Sequence, residues 1–247
     1  MLARRMGDPE AQEMSTSVFG FDTDRAWEYE NGFHLTSPVT RIAKILGQYD
    51  VYRRIHSLPG EVVEAGVFKG ASLIRLATFR EVCESPYSRQ IIGFDVFGEF
   101  PPQTAPRDAA YVKRFEQISG NGIPVDELER VLELKGFRNV ELVPGDITRT
   151  VPAYLAARPE LRIALLHIDV DVYEPTRQVL ASLWDRVVRN GVVMFDDYGK
   201  VDGETRAVEE FFAGRDVVIE KPSTSHVSAF IVKATGATPE ASDEGRA

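Results

Sequence analysis

Short apolar runs alternate with amphipathic segments along most of the chain. Continuous apolar runs are typical of buried strands, and apolar positions three and four apart are typical of helices. The predicted strands are 61–66, 90–95, 139–146, 162–171 and 191–197, with two more within 216–222 and 227–233. The predicted helices are 71–82, 108–119, 125–135, 150–159, 174–188 and 204–214.

The order of these elements predicts an α/β fold. Near-continuous apolar strands separated by helices form a parallel sheet with helices on both faces. The last two strands follow each other without a helix, so we expect them to pair antiparallel at one edge. This layout is that of the class I S-adenosylmethionine-dependent methyltransferases, which have a Rossmann-like, mostly parallel seven-stranded sheet with an antiparallel terminal hairpin.

Net charge, the cysteine count and the lack of long apolar stretches exclude several classes of partner and location. The formal net charge of −9 disfavours nucleic acid as a partner, because an acidic surface repels phosphates. The single cysteine excludes an intramolecular disulfide. No apolar stretch resembles a signal peptide or a membrane span, so we expect a cytoplasmic protein with no membrane partner. Residues 1–17 are predicted to be a flexible arm, and 234–247 a disordered tail.

Carboxylates follow four of the five predicted parallel strands. In such sheets, ligands bind outside the carboxyl ends of the strands. Scattered surface acids would not be sorted in this way, so the sequence predicts one functional site at this edge of the sheet. The first strand carries Glu64 just before its glycine. The carboxylates at the other strand ends are Asp95, Asp146, Asp169 with Asp171, and Asp196 with Asp197.

The first strand–helix turn, 64–70, reads EAGVFKG and departs from a dinucleotide-binding loop. In the G-x-G-x-x-G motif the second glycine lets the backbone approach a pyrophosphate, and here Phe68 takes that position. A cofactor without phosphates fits this loop better, which favours S-adenosylmethionine. The predicted cofactor-binding residues are Glu64, Gly66, Phe68, Gly70, Ser72, Asp95, Asp146 and Ile147.

For the polar residues that are predicted to bind the cofactor, a purely structural role is the alternative. Asp95 is placed to accept the ribose hydroxyls, but a loop or helix-capping acid is the alternative. Asp146 and Ile147 border the expected adenine pocket, yet Asp146 is also a good N-cap for the next helix. Ser72 can hold the methionine carboxylate at a helix N-terminus, or it is an ordinary first-turn serine.

The segment His167-Ile168-Asp169-Val170-Asp171 and the later Asp196-Asp197 are the densest chemical signal. Side chains two apart in a strand share one side, and neighbouring strands lie about 4.8 Å apart, so these carboxylates should crowd together. Crowded carboxylates raise one another's pKa, which a divalent cation relieves. Oxygen ligands favour Mg²⁺, or Ca²⁺ or Mn²⁺, over zinc. His167 is interpreted as a core histidine.

Such a centre can activate a hydroxyl group as a nucleophile. Coordination to a metal acidifies the hydroxyl, and a nearby carboxylate takes the proton. Helix caps and solvated acids are the plain alternative for these aspartates. A second alternative is the D-x-D motif of haloacid dehalogenase phosphatases, which Asp169 and Asp171 resemble; that motif usually follows the first strand, whereas here it follows the fourth.

Six segments together resemble the macrocin O-methyltransferase (TylF-type) family over roughly residues 27–233. The sequence is especially similar to the TDP-6-deoxyhexose (TDP-rhamnose) 3-O-methyltransferases of antibiotic biosynthesis, as in the calicheamicin pathway. The segments are YENGFHLTSP (29–38), VEAGVFKGAS (63–72), IIGFDVFGEFP (91–101), LLHIDVDVYEPT (165–176), GVVMFDDYG (191–199) and SHVSAFIVK (225–233).

The resemblance implies roles for the aspartates. Asp169, Asp196 and Asp197 match the family's metal ligands, and Asp171 matches its proposed general base. Family members differ on which aspartate of D-x-D is the base, so both Asp169 and Asp171 are catalytic candidates. Val170 stands where many relatives have glycine, which leaves the carboxylates untouched.

The resemblance also implies an organisation and a substrate class. Residues 18–56 resemble a lid and oligomerisation segment, for which core packing is the alternative, and 57–233 form the methyltransferase domain of a homo-oligomer. The expected substrate is a nucleotide-activated deoxysugar, with a finished glycoside, a non-catalytic binding protein and a phosphate hydrolase as alternatives. Candidates for contact with the sugar or its phosphates are Lys69, Tyr198 and His226.

Overall fold

A computed structural model describes residues 17–102, 105–224 and 228–234. The predicted arm at 1–17 lies outside these residues except for residue 17, the predicted tail at 234–247 lies outside them except for residue 234, and His226 also lies outside them. The chain divides into two compact units, 1–38 and 39–247. Within the described ranges, none of the helices combines the length and the hydropathy needed to cross a bilayer.

The described part of the first unit, residues 17–38, contains a small hairpin, a 3₁₀ turn and one helix. In this helix no residue is buried, although Trp27 and Leu35 are large and apolar. The role of residues 18–56 as a lid or oligomerisation segment stays a prediction. The unit's elements are β1 (Ser17–Val18), β2 (Phe21–Asp22), a 3₁₀ turn (Thr23–Arg25) and α1 (Ala26–Thr36).

The second unit is built on a six-stranded sheet. Its strand order is β5-β4-β3-β6-β7-β8, and every neighbouring pair is parallel except β7 and β8. The order reverses between β3 and β6, which is the topological switch point where ligands bind in such folds. The strands are β3 (Glu61–Ala65), β4 (Ile91–Asp95), β5 (Val140–Pro144), β6 (Ile163–Ile168), β7 (Val187–Phe195) and β8 (Ala229–Val232).

Helices cover both faces of this sheet. Side chains alternate between the two faces of a strand, so Leu166 and Leu165 of β6 belong to different halves of the core. One half packs against α6, α7 and α8, and the other against α2, α3 and α5. The helices are α2 (Val39–Arg53), α3 (Ala71–Cys83), α4 (Pro106–Ser119), α5 (Val125–Leu134), α6 (Ile147–Ala157), α7 (Tyr173–Leu183) and α8 (Asp202–Phe212).

The sheet has six strands where the sequence predicts seven. The predicted strand at 216–222 is reduced to a single bridge, in which Glu220 and Phe230 exchange two backbone hydrogen bonds of 2.8 Å. On the side of Ser228, the next bonded pair in an antiparallel ladder would need an N–H from Pro222, and proline has none. The antiparallel terminal pairing is therefore confirmed, but as a bridge beside β8 and not as a full strand.

Helix α7 is shorter than predicted. The pattern predicts a helix over 174–188, but α7 ends at Leu183, and Trp184–Arg186 form a 3₁₀ turn. Val187 and Val188 already belong to β7, which suits β-branched residues. Trp184 packs edge-on against Phe212 of α8 with ring centroids 4.9 Å apart, which anchors the turn.

Candidate active site

A cavity of about 500 Å³ opens at the carboxyl ends of β3, β4, β6 and β7. This is the edge at which the sequence predicts a site. Two of the predicted cofactor residues, Glu64 and Gly70, are not part of its wall. The predicted residues that do line it are Gly66, Phe68, Ser72, Asp95, Asp146, Ile147, Asp169, Asp171, Asp196 and Asp197.

Asp95 closes the turn that follows β3. Its Oδ2 accepts hydrogen bonds from the backbone N–H groups of Val67 at 2.7 Å and Phe68 at 2.9 Å. Its Oδ1 accepts one from the N–H of Phe97 at 2.7 Å. The carboxylate therefore fixes the loop that borders the cavity, and its predicted contact with a ribose stays a prediction.

Glu64 and Gly70 make structural contacts away from the cavity wall, and their part in cofactor binding stays a prediction. Glu64 pairs with His167 in the register of β3 and β6, so the two side chains lie on the same face, and both are fully buried. His167 Nδ1 lies 2.8 Å from Glu64 Oε1. Gly70 begins α3 with φ at +79°, and a Cβ there would lie 2.7 Å from Leu128 Cδ1, which explains a glycine at this position.

Asp146 both caps a helix and borders the cavity. Its Oδ1 accepts hydrogen bonds from the N–H of Thr148 at 2.9 Å and from the Thr148 hydroxyl at 2.7 Å, which is the expected N-cap geometry for α6. Ile147 follows as the first residue of α6. Ser72 is buried in the first turn of α3 and reaches the cavity wall.

Asp169 and Asp171 lie in the loop that follows β6 and not within a strand as the sequence suggests. Strand β6 ends at Ile168, and the N–H of Val172 donates to the carbonyl of Val170 at 2.6 Å. Asp171 stands at the centre of this three-residue turn with φ at +62°. A non-glycine residue in the left-handed region stores backbone strain, and such strain is concentrated at functional sites.

The acidic side chains form two groups that share Asp169. Ligand atoms of His167, Asp169 and Asp196 lie within 4.8 Å of one another, and so do those of Asp169, Asp171 and Asp197. Carboxylate oxygens are the ligands that hard divalent cations prefer, and the second group consists of three aspartates. The donor set therefore fits a hard divalent cation.

Burial and mutual repulsion raise the pKa values of three of these aspartates. Burial, and then the charge of Asp196, hold the pKa of Asp169 well above its usual range. The pKa of Asp171 is raised to about 7 by burial and then by Asp197. Burial and Asp196 likewise raise the pKa of Asp197. Negative charge in this part of the site is thus incompletely compensated by side chains, as a cation site requires.

Asp196 is the exception, because two cationic side chains flank it. His167 Nε2 lies 3.5 Å from Asp196 Oδ1, and Lys44 Nζ contacts Asp196 Oδ2. Burial alone would raise the pKa of Asp196, but His167 and Lys44 outweigh it and lower the pKa below the usual range. Burial by itself lowers the pKa of His167, but Asp196 and Glu64 raise it to about 10.

An aromatic wall on α4 faces the acidic cluster. The Tyr111 hydroxyl donates to Asp171 Oδ1 at 2.9 Å, and its ring stacks on Phe115 with centroids 6.0 Å apart. Phe115 also contacts Phe68 at 5.2 Å and Phe100 at 5.8 Å. All four rings line the cavity. Sequence reasoning missed Tyr111 and Phe115, which are spaced four apart on the predicted helix and so share one face.

Three cations that sequence reasoning missed also line the cavity. Arg41 and Lys44 are three residues apart on α2, a spacing that signals a shared helix face, and Arg75 lies on α3 beside Gln48. Of the sugar-contact candidates, Lys69 lines the cavity. Tyr198 instead packs beside Phe195 with ring centroids 6.5 Å apart.

Comparison with known proteins places this arrangement in a family. A curated O-methyltransferase of Streptomyces olivaceus, which acts on a rhamnosylated tetracenomycin C at the 4′ oxygen, is 28% identical over 159 residues that cover 62% of this chain. The chain spans 58% of the length of that relative.

Solved structures agree in fold over most of the chain. A structure of CalS11, described as a calicheamicin methyltransferase, is 29% identical with a TM-score of 0.69 and covers 83% of this chain and 84% of its own. An apo structure of CalS11, described there as a TDP-rhamnose 3′-O-methyltransferase, is 28% identical with a TM-score of 0.61 and covers 84% and 86%. The class I methyltransferase fold is therefore confirmed. The family model for macrocin O-methyltransferases (TylF) matches residues 48–227, and the chain belongs to that family.

Proposed function

We propose that this chain is an S-adenosylmethionine-dependent O-methyltransferase that uses Mg²⁺, or another hard divalent cation, to methylate a deoxysugar hydroxyl in antibiotic biosynthesis. The 3-hydroxyl of a TDP-6-deoxyhexose such as TDP-rhamnose is the first candidate. The observation that carries the proposal is the aspartate cluster of the β6 and β7 ends, which faces the same cavity as the loop after β3. The similarity to CalS11 supports the substrate class.

The four aspartates are assigned two tasks in this reaction, which are metal binding and proton transfer. When bound, the divalent cation acidifies a coordinated hydroxyl, and S-adenosylmethionine supplies the methyl group. Asp169, Asp196 and Asp197 would hold the cation. Asp171 would accept the hydroxyl proton as the general base, and a hydrogen bond from the Tyr111 hydroxyl to its Oδ1 holds it in place.

Orientation is the other task of the site. Methyl transfer from a sulfonium requires the oxygen, the methyl carbon and the sulfur to lie in line, and the thioether leaves without acid catalysis. Asp95 fixes the loop at Val67 and Phe68 on the cofactor side, and the Tyr111 hydroxyl fixes Asp171 on the other. Both contacts reduce the freedom of the groups that border the reacting atoms.

A finished glycoside is the second candidate substrate. The tetracenomycin relative acts on a tetracenomycin C that already carries a rhamnosyl group, which favours this class. We further propose a homo-oligomer that has neither nucleic acid nor membrane as a partner. Net charge supports the exclusion of nucleic acid.

The decisive experiment measures S-adenosylhomocysteine formation over a panel of TDP-deoxyhexoses and free glycosides, with Mg²⁺ and with excess chelator. We expect turnover of a TDP-deoxyhexose, a fall of at least about tenfold with chelator, and recovery when Mg²⁺ is restored. If the chelator left turnover unchanged, the proposed metal dependence of methyl transfer would be wrong. Binding of S-adenosylmethionine without turnover of any panel member would contradict the substrate class.

Tyr111→Phe is expected to move the acidic limb of the pH–rate profile to higher pH. The Tyr111 hydroxyl donates to Asp171 and thereby favours the ionised carboxylate, so its loss raises the pKa of Asp171. A hydrogen bond to a charged group is worth about 1.5 kcal/mol, which corresponds to about one pH unit. Since the base must be ionised, activity then appears only at higher pH. Tyr87→Phe, at an exposed tyrosine, is the control; an unmoved limb in Tyr111→Phe would contradict the assignment of Asp171 as base.

A further inference from the structure

Lys44 reaches into the proposed metal centre from α2. Its ammonium contacts Asp196 Oδ2, and both side chains are largely buried, with exposed fractions of 21% for Lys44 and 4% for Asp196. The two residues are 152 positions apart in the sequence, so the contact exists only because α2 packs beside the ends of β6 and β7.

The other carboxylate oxygen of Asp196, Oδ1, faces Ser228 and His167. Asp196 Oδ1 accepts a hydrogen bond from the Ser228 hydroxyl at 3.3 Å and lies 3.5 Å from His167 Nε2. His167 is itself held by Glu64, so this side of the carboxylate cannot turn freely. Asp196 Oδ2 is consequently the oxygen best placed to coordinate a cation, and it is the one that Lys44 contacts.

A protonated lysine and a divalent ion cannot share this oxygen without strong repulsion. A monovalent and a divalent cation held a few ångströms apart repel each other strongly in a partly buried site, because the solvent screens them little. The flexible stem of lysine allows the ammonium to leave, whereas the carboxylate is fixed by the ends of its strand.

We propose that Lys44 is a tethered cation that competes with the divalent ion for Asp196 Oδ2 and so sets the metal affinity of the site. This inference rests on the proposed metal-dependent function. In the metal-free protein Lys44 neutralises Asp196, and on metal binding its ammonium withdraws into the cavity. The contact between Lys44 and Asp196 weakens metal binding. When the metal is absent, the same contact balances the charge of Asp196 and keeps the site ordered.

The test compares Mn²⁺ binding, measured by electron paramagnetic resonance titration, in the wild type and in Lys44→Met. We expect the dissociation constant for Mn²⁺ to fall about tenfold or more in Lys44→Met, because methionine has a similar length and no charge. Mn²⁺ should also raise the melting temperature of Lys44→Met more than that of the wild type, since tighter binding stabilises the folded state further. Lys44→Arg keeps the charge and should bind Mn²⁺ close to the wild-type level.

Lys200→Met is the matched control, because Lys200 is exposed and follows Asp197 by three residues. It removes one positive charge near the site without a side-chain contact to Asp196, and its Mn²⁺ affinity should change less than about twofold, as expected for a screened surface charge. Should Lys44→Met fail to fold, Lys44→Gln tests the same expectation with a neutral side chain that can still donate a hydrogen bond. Unchanged or weaker Mn²⁺ binding in the neutral variants Lys44→Met and Lys44→Gln, against a wild type that binds, would overturn the inference alone. Absence of Mn²⁺ binding in the wild type and variants alike would overturn the metal centre together with the inference.

Discussion

Asp171→Asn is expected to slow methyl transfer by about 10²–10⁴-fold while S-adenosylmethionine binding stays near wild type, the range that loss of a general base produces. The amide of asparagine is close in size to the carboxylate and accepts no proton at neutral pH. Asparagine also tolerates the left-handed backbone that Asp171 adopts at φ +62°, so the turn after β6 should survive. Single-turnover formation of S-adenosylhomocysteine and calorimetric titration with S-adenosylmethionine measure the two quantities separately.

The control for this variant is Asp216→Asn, an exposed aspartate beyond α8. It removes the same charge away from the cavity and should leave the rate unchanged. A loss of less than tenfold in Asp171→Asn would contradict the role of Asp171 as base. If Asp169→Asn slowed methyl transfer by about 10²-fold or more and Asp171→Asn did not, Asp169 would be the general base.

Gly66→Ala is expected to destabilise the protein by about 3 kcal/mol or more and to abolish measurable binding of S-adenosylmethionine. A Cβ at position 66 would lie 1.9 Å from the carbonyl oxygen of Asp169 and 2.5 Å from its carbonyl carbon. Gly66 also has φ at +90°, so strain adds to the steric clash, and each effect contributes about 1–3 kcal/mol. Relief of the clash requires the turn that carries Asp169 and Asp171 to move. Urea unfolding and calorimetric titration are the measurements.

Gly199→Ala separates the two effects. Gly199 has φ at +75°, but nothing lies within 4 Å of the position of its Cβ. Its alanine variant therefore carries the backbone penalty without the clash and should lose only about 1 kcal/mol. If the Gly66→Ala and Gly199→Ala variants were equally stable, the close approach of Asp169 would not be the reason that position 66 requires a glycine.

The strands were predictable because burial on both faces leaves a direct trace in the sequence. All six residues of β6 are buried, and the sequence reads as a continuous apolar run there apart from His167. The position of the carboxylates followed from the same pattern, since a parallel sheet brings the carboxyl ends of its strands to one edge. The end of α7 was less predictable, because an amphipathic pattern does not reveal where a chain leaves the helix for a 3₁₀ turn.

Other parts of the site depend on packing that no local pattern records. The left-handed conformation of Asp171 is supported from α8, where the N–H of Glu204 donates to the Asp171 carbonyl at 3.0 Å. A Cβ at Gly203 would lie 2.9 Å from that carbonyl oxygen, so α8 presses closely on the turn. Lys44 and Tyr111 likewise reach the aspartates from helices whose placement is set by the whole fold. Their spacing shows which residues share their helix face, but not what that face contacts.

The aromatic wall and the aspartates come from different stretches of the chain. Phe100, Tyr111 and Phe115 belong to α4 and the loop before it, whereas the carboxylates stand on the two turns that follow β6 and β7. The hydroxyl of Tyr111 is the contact between them that involves the proposed base. A chimaera that exchanges the α4 segment while keeping this tyrosine would therefore reshape the cavity for a different acceptor and leave the proton-transfer machinery in place.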